Sequence, residues 1–284
     1  MTDFSKIVFG EEAEDFDGIL MHPDQNDAFW QTRYGGYEAH DAVKNANIPI
    51  LFITVFYDRY TGGIFHMWNT MEESAKSKSA LVVTPYDHGS YMAYDNTQTI
   101  SFRNGNLEEY QSNFAVKWFN AARGGHKPPF APGNITYYRL FDEKWATETT
   151  WKADNKMTIP LGKGEITYLY NPYHSTAFKG GLSNHFGGSD YQDEPGKRYD
   201  IKTFYSEEFE KDIFVKGKMK ARVLVKSDCE DTCFYVRFNI AKKEGDYGLR
   251  DDITKISNFD QSYQPNTEIA LDFTFDEIAF QVKK

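Results

Sequence analysis

The stretch Ile48-Pro49-Ile50-Leu51-Phe52-Ile53-Thr54-Val55-Phe56-Tyr57-Asp58 decides how this chain folds. Its centre is apolar on both faces, the pattern of a strand buried within a parallel sheet. Ile64, Met67, Trp68, Met71 and Ala75 follow at spacings that put all five on one helical face. Ala80-Leu81-Val82-Val83 is a second short apolar run, and Pro85 stops it. Strand, helix, strand in this order predicts a βαβ unit with parallel strands.

Downstream, Leu107, Tyr110, Gln111, Phe114, Ala115, Trp118, Phe119 and Ala122 repeat at helical spacing, and Gly124-Gly125 offers the stop. The segment 1–47 reads as helical and loop-like, a cap. The run from Gly124 to Gly133, with Pro128, Pro129 and Pro132, is the best boundary candidate. Two domains are therefore expected: 1–124, of α/β type, and 125–284. In the second, Ile213 to Val225 alternate with Lys216, Lys218, Lys220, Arg222 and Lys226. That is one buried and one wet face of an antiparallel sheet. Phe234 to Ile240 and Ile269 to Phe275 repeat the pattern. Tyr137–Phe141, Ile166–Tyr170 and Ile201–Tyr205 are weaker candidates. Strands without intervening helices predict a sandwich or jelly roll.

The chain has 284 residues, 42 acidic and 32 basic, for a net charge of −10. That balance argues against a nucleic-acid partner and against an anionic membrane surface. No apolar run approaches the ~20 residues of a membrane span. The stretch from Met1 to Asp17 has no basic region followed by an apolar core, so a cytoplasmic location is expected. Cys229 and Cys233 are the two cysteines. They read as free thiols beside a strand, with a disulfide or a metal half-site as the alternative.

Parallel strands end on one rim of a sheet, and open α/β sheets keep their sites there. The first strand ends at Asp58; the second runs into Thr84-Pro85-Tyr86-Asp87-His88-Gly89. Asp58 and His88 could therefore meet, the carboxylate fixing one tautomer and leaving the other nitrogen as a general base. A lone Asp after a strand also caps helices, and His-Gly also makes turns. No G-x-S-x-G occurs. Gly181-Leu182-Ser183-Asn184-His185 lacks the final Gly, and Ser90 follows the His on the wrong strand. His174, His185 and Asp190 are a weak metal set in a Gly-rich loop. No phosphate-cradling glycine motif is present.

These residues together resemble the C-terminal portion of the CocE/NonD hydrolases, the family of cocaine esterase, α-amino-acid ester hydrolase and Xaa-Pro dipeptidyl-peptidase. His22-Pro23 with Asp27 and Trp30 resembles the segment before the strand. Ile48 to Asp58 is similar to the strand whose Asp is the triad acid. Thr84 to Gly89 is similar to the turn whose His is the base, and Val116 to Phe119 to the helix closing the hydrolase domain. Asn171-Pro172, Arg198-Tyr199-Asp200, Phe214 to Gly217, Ser227 to Thr232 and Leu249-Arg250-Asp251 resemble its jelly roll. Departures are Val55-Phe56 for Gly-Trp, and Tyr86-Asp87 before the His.

The resemblance implies part of an α/β-hydrolase sheet followed by a jelly roll. It implies Asp58 and His88 as triad acid and base, with no nucleophile in this chain. Esters or N-terminal Xaa-Pro peptides would be substrates, and no cofactor is called for. The partner would be the nucleophile-bearing hydrolase part or a second copy. The competing expectation is a non-catalytic binding module built on the jelly roll.

Overall fold

The computed structural model describes residues 43–88, 111–162, 164–171, 190–192 and 198–284, with single positions at 22, 28, 29, 102, 105 and 173. The decisive stretch forms β1, Leu51–Tyr57. Helix α1, Thr61–Thr70, follows, then the short α2, Glu73–Lys76. The expected single helix is thus two, because Met71 turns extended and the Glu72 N–H bonds the Lys44 carbonyl at 2.9 Å. Phe65, Trp68, Met71 and Ala75 still face the core. Each large side chain among them contributes about 1.5–3 kcal/mol by leaving water.

Strand β2, Ala80–Asp87, runs parallel to β1. It continues through Pro85, contrary to expectation. The register runs from Leu51–Ala80 to Val55–Thr84 and then jumps to Tyr57–Asp87, so β2 places Pro85 and Tyr86 against Phe56 alone. That is a bulge, a position where a strand tolerates a proline.

Helix α3, Gln111–Ala122, ends in Gly124 and Gly125 at φ 96° and 85°, the left-handed conformation that glycine adopts freely. Phe114 and Trp118 are buried, whereas Phe119, expected on the same face, is 65% exposed.

The sheet does not stop at the glycine-proline stretch. β3, Ile135–Arg139, adds to β2 in parallel, and β4, Lys144–Glu148, pairs antiparallel with β3. The order is β1-β2-β3-β4. Tyr137, expected in the β-rich part, is therefore buried in the first sheet, and the sheet crosses the expected 124/125 boundary.

Beyond it, β5 (Ile213–Lys226) pairs with β8 (Glu268–Val282), and β6 (Cys233–Lys242) with β7 (Gly245–Lys255), both antiparallel. Leu271, Phe273 and Phe275 of β8 pack with Met219, Ala221, Val223 and Val225 of β5 and with Phe234, Val236 and Phe238 of β6. The two ribbons thus share one core. Ile166–Tyr170 and Ile201–Tyr205, expected as strands, form none, having no ladder partner among the described residues.

The two halves are joined. Leu140 N–H donates to the Ala279 carbonyl at 3.0 Å, and Gln281 N–H to the Leu140 carbonyl at 2.8 Å. Arg139 lies over the Phe214 ring at 4.1 Å, and Lys216 pairs with Glu148. One core cluster runs from Phe52, Phe56 and Tyr57 through Tyr247 and Leu249 to Ile278 and Phe280.

Candidate active site

Asp58 is the first residue after β1, and His88 the first after β2. The bulge brings them level: once Tyr57 pairs with Asp87, the next residues in line are Asp58 and His88. His88 Nδ1 lies 2.8 Å from Asp58 Oδ2. An ionised carboxylate only accepts, so the ring donates from Nδ1. That bond places the other ring nitrogen, Nε2, opposite the carboxylate. The Asp58 side chain is 11% exposed and His88 51%, so a mostly dry acid holds a half-open imidazole.

Local sequence fixes the acid. Tyr60 N–H donates to Asp58 Oδ1 at 3.0 Å, a turn typical of an Asp two residues back. The buried Thr61 hydroxyl lies 2.8 Å from the Asp58 carbonyl and 2.6 Å from the Val55 carbonyl. One carboxylate oxygen therefore holds the turn and the other holds the histidine. The Tyr60 ring sits 5.5 Å from the imidazole, centroid to centroid. Sequence reading missed Tyr60 and Thr61, although an Asp-x-x-Thr spacing after a buried strand was a visible signal.

Behind β1 lies a charged layer that composition could not show. Arg250 of β7 is buried, and its guanidinium donates to the Glu277 carbonyl. Burial lowers its pKa, against the opposing pull of Asp276, Tyr57, Glu277 and Asp251. Burial also raises the Tyr57 phenol, against the pull of Arg250. Among the described residues Tyr57 Oη and Arg250 Nε and Nη1 meet no hydrogen-bond partner. Asp276 of β8 presses its carboxylate on Gly62 near the start of α1, where an added Cβ would overlap it.

Of the other candidates, Ser90, Ser183, His174 and His185 lie outside the described residues. Asp190 takes the Tyr191 N–H at 2.6 Å, and no metal-binding cluster occurs among the described residues. Cys229 and Cys233 are free and exposed. No described helix is long and apolar enough to cross a membrane.

No family model matches the chain, and no curated protein matches it. Among solved structures it is similar to an aminopeptidase from the marine sediment archaeon Thaumarchaeota archaeon, with a TM-score of 0.72 at 15% identity. The match covers 98% of this chain and 52% of that one, so the chain spans about half the length of the structure it resembles. What is shared at that identity is a fold: a mixed sheet with few helices joined to antiparallel β structure, carried by a hydrolase of peptides.

Proposed function

We propose that this chain is the Asp–His part of a serine hydrolase of the CocE/NonD type, acting on esters or on N-terminal Xaa-Pro peptides. In this reading the first sheet with its helices is the C-terminal part of an α/β-hydrolase domain. The ribbons β5–β8 and β6–β7 are the core of a jelly roll. Asp58 fixes the tautomer of His88, and Nε2 is the base. The serine hydroxyl comes from outside these residues. It attacks the acyl carbon and gives its proton to Nε2; the leaving alcohol or amine takes that proton as the acyl bond breaks. Water, deprotonated by the same nitrogen, then releases the acid.

The observation that carries this reading is the 2.8 Å contact between His88 Nδ1 and Asp58 Oδ2 at the carboxyl ends of two parallel strands. The half-open imidazole and the aminopeptidase fold of the archaeal neighbour support it. The test uses a fluorophosphonate probe, a p-nitrophenyl ester and an Ala-Pro anilide. Each is applied to the chain alone and to the chain with the polypeptide encoded next to it. Turnover in the mixture that falls about 10⁴-fold in Asp58→Asn, and likewise disappears in His88→Ala, supports the reading. Inertness in both settings favours the binding module instead.

A further inference from the structure

Helix α1 opens on Thr61-Gly62-Gly63, and glycine is a poor helix former. Its first turn carries no acidic side chain, and Tyr60 at its N-cap offers no side-chain cap. Yet this turn sets the acid. Thr61 N–H donates to the Asp58 carbonyl at 3.3 Å, and Tyr60 N–H to Asp58 Oδ1 at 3.0 Å. A start this weak needs support from elsewhere in the fold, and β8 offers it. The half-buried Asp276 carboxylate lies so close to Gly62 that an added Cβ would overlap it. A negative charge there complements the N-terminal end of the helix dipole, which α1 does not do for itself.

Register explains how Asp276 arrives. Lys218 pairs with Glu277 and Lys220 with Thr274, so Phe275 and Asp276 stand against Met219 alone. In an unbroken ladder Asp276 would face Lys218, in one row with the exposed Asp272 and Thr274. The bulge takes it out of that row. β7 uses the same device. Asn239 pairs with Gly248 and Phe238 with Arg250, which leaves Leu249 as the extra residue just before Arg250. Arg250 is 2% exposed, and Asp276 is the strongest of the charges that offset its burial. Bulges re-aim side chains and gather beside active sites. Those of β2, β7 and β8 immediately precede or contain His88, Arg250 and Asp276.

We infer that Asp276 is a positioning residue for Asp58: its carboxylate, pressed on Gly62, holds the first turn of α1 and through it the orientation in which Asp58 grips His88. Its place in hydrolysis rests on the reading of Asp58 and His88 given above. The path is short. Asp276 meets Gly62; the Thr61 hydroxyl ties the same turn to the Val55 and Asp58 carbonyls; Tyr60 N–H holds Oδ1 and leaves Oδ2 for the imidazole. Arg250, buried behind β1, keeps the Asp276 charge in place. The β5–β8 ribbon thus acts on the site without touching substrate, and glycine stands at position 62 because any side chain would displace the carboxylate.

The experiment follows the Asp58-bonded Nδ1 proton of His88 by nuclear magnetic resonance in the full chain. Asp276→Ala and Asp276→Asn are compared with the unaltered chain at one pH, each well below its own melting temperature. Asp272→Ala, on the exposed face of the same strand, is the control. In both Asp276 variants that proton should exchange with water at least about tenfold faster, and in the control at the original rate. In the assembled hydrolase kcat should fall about tenfold or more while KM stays within about twofold. Melting curves come first; should one Asp276 variant fail to fold, the other decides. Asp276→Asn keeps the shape of the side chain and removes its charge. Unchanged exchange in that variant overturns the inference whatever its melting temperature does, since a merely structural residue would lower the melting temperature and leave the Asp58–His88 bond intact. An equal acceleration in Asp272→Ala overturns it too. Failure of the two readings is separable. Asp276-dependent protection in a chain that hydrolyses nothing beside the neighbouring polypeptide keeps the positioning role and removes the catalytic reading; His88-dependent hydrolysis at full kcat in Asp276→Ala does the reverse.

Discussion

Gly62 and Gly63 are neighbours in the first turn of α1, yet their surroundings differ completely. A Cβ on Gly63 meets nothing within 4 Å, whereas one on Gly62 lands on the Asp276 carboxylate, 2.8 Å from its Cγ. Alanine in a helix is ordinarily favoured over glycine by about 1 kcal/mol. Both substitutions receive that gain, so their difference isolates the clash. Overpacking of this kind costs about 1–3 kcal/mol, and Asp276 can escape only by swinging away from the helix start and from its interaction with Arg250. Gly63→Ala should therefore be neutral or stabilising. Gly62→Ala should lie about 1–3 kcal/mol below it, or roughly 2–6 °C in melting temperature for a chain of this size. Urea titrations followed by circular dichroism measure the difference. Asp276→Ala in the Gly62→Ala background should recover most of the loss, because the two groups touch and couple in a double-mutant cycle. Equal stability of the two alanine variants would refute the contact between Asp276 and the start of α1.

Other outcomes follow from the same geometry. Burial raises the Glu148 carboxyl, but the bonds from Lys216 and the Tyr137 hydroxyl outweigh it and leave its pKa below the usual value. A depressed carboxylate contributes stability above its unfolded pKa, about 4.3, and loses it as pH falls through the folded value. Denaturation midpoints should therefore decline below about pH 4.5, and less steeply in Glu148→Gln; parallel profiles would show that the pair contributes nothing. Burial raises the phenols of Tyr57, Tyr137, Tyr138 and Tyr235. Folding favours their neutral forms, so stability should fall as pH rises past about 10, and spectrophotometric titration should show these four ionising only with unfolding. Deleting Tyr86 should remove the bulge yet keep Asp87 opposite Tyr57 and His88 level with Asp58; loss of the Asp58-bonded Nδ1 proton resonance of His88 in a folded variant would contradict the register.

Local chemistry made β1, the core face of α1 and the meeting of Asp58 with His88 readable, because each rests on a short periodic pattern or a strand end. What stayed hidden depends on pairing across long distances. β4, with Lys144 and Glu148, has too little apolar pattern to read as a strand until β3 lies beside it. β7 reads Gly-Asp-Tyr-Gly-Leu-Arg-Asp-Asp-Ile-Thr-Lys, which looks like a solvated loop. Its Arg250 and Asp251 are nonetheless buried, supported by Glu277 and by Tyr235, whose hydroxyl donates to Asp251 at 2.9 Å. Ile166–Tyr170 erred the other way: alternation alone makes no strand without a ladder partner.

Pro85 shows how a feature that looks like an ending can be a positioning device. Had β2 stayed in the register of its first residues, Asp87 would stand level with Asp58. Two carboxylates at that separation repel, and one would have to take up a proton. The inserted residue moves every later position by one, and in a strand a shift of one also exchanges faces. Asp87 stays buried inside the strand and His88 emerges at the rim, half open, bonded to the acid. Proline suits this place because Pro85 lies past the last β2–β3 pair, Val83–Tyr137, so its missing amide removes no ladder bond. The Asp–His contact is then a consequence of strand register.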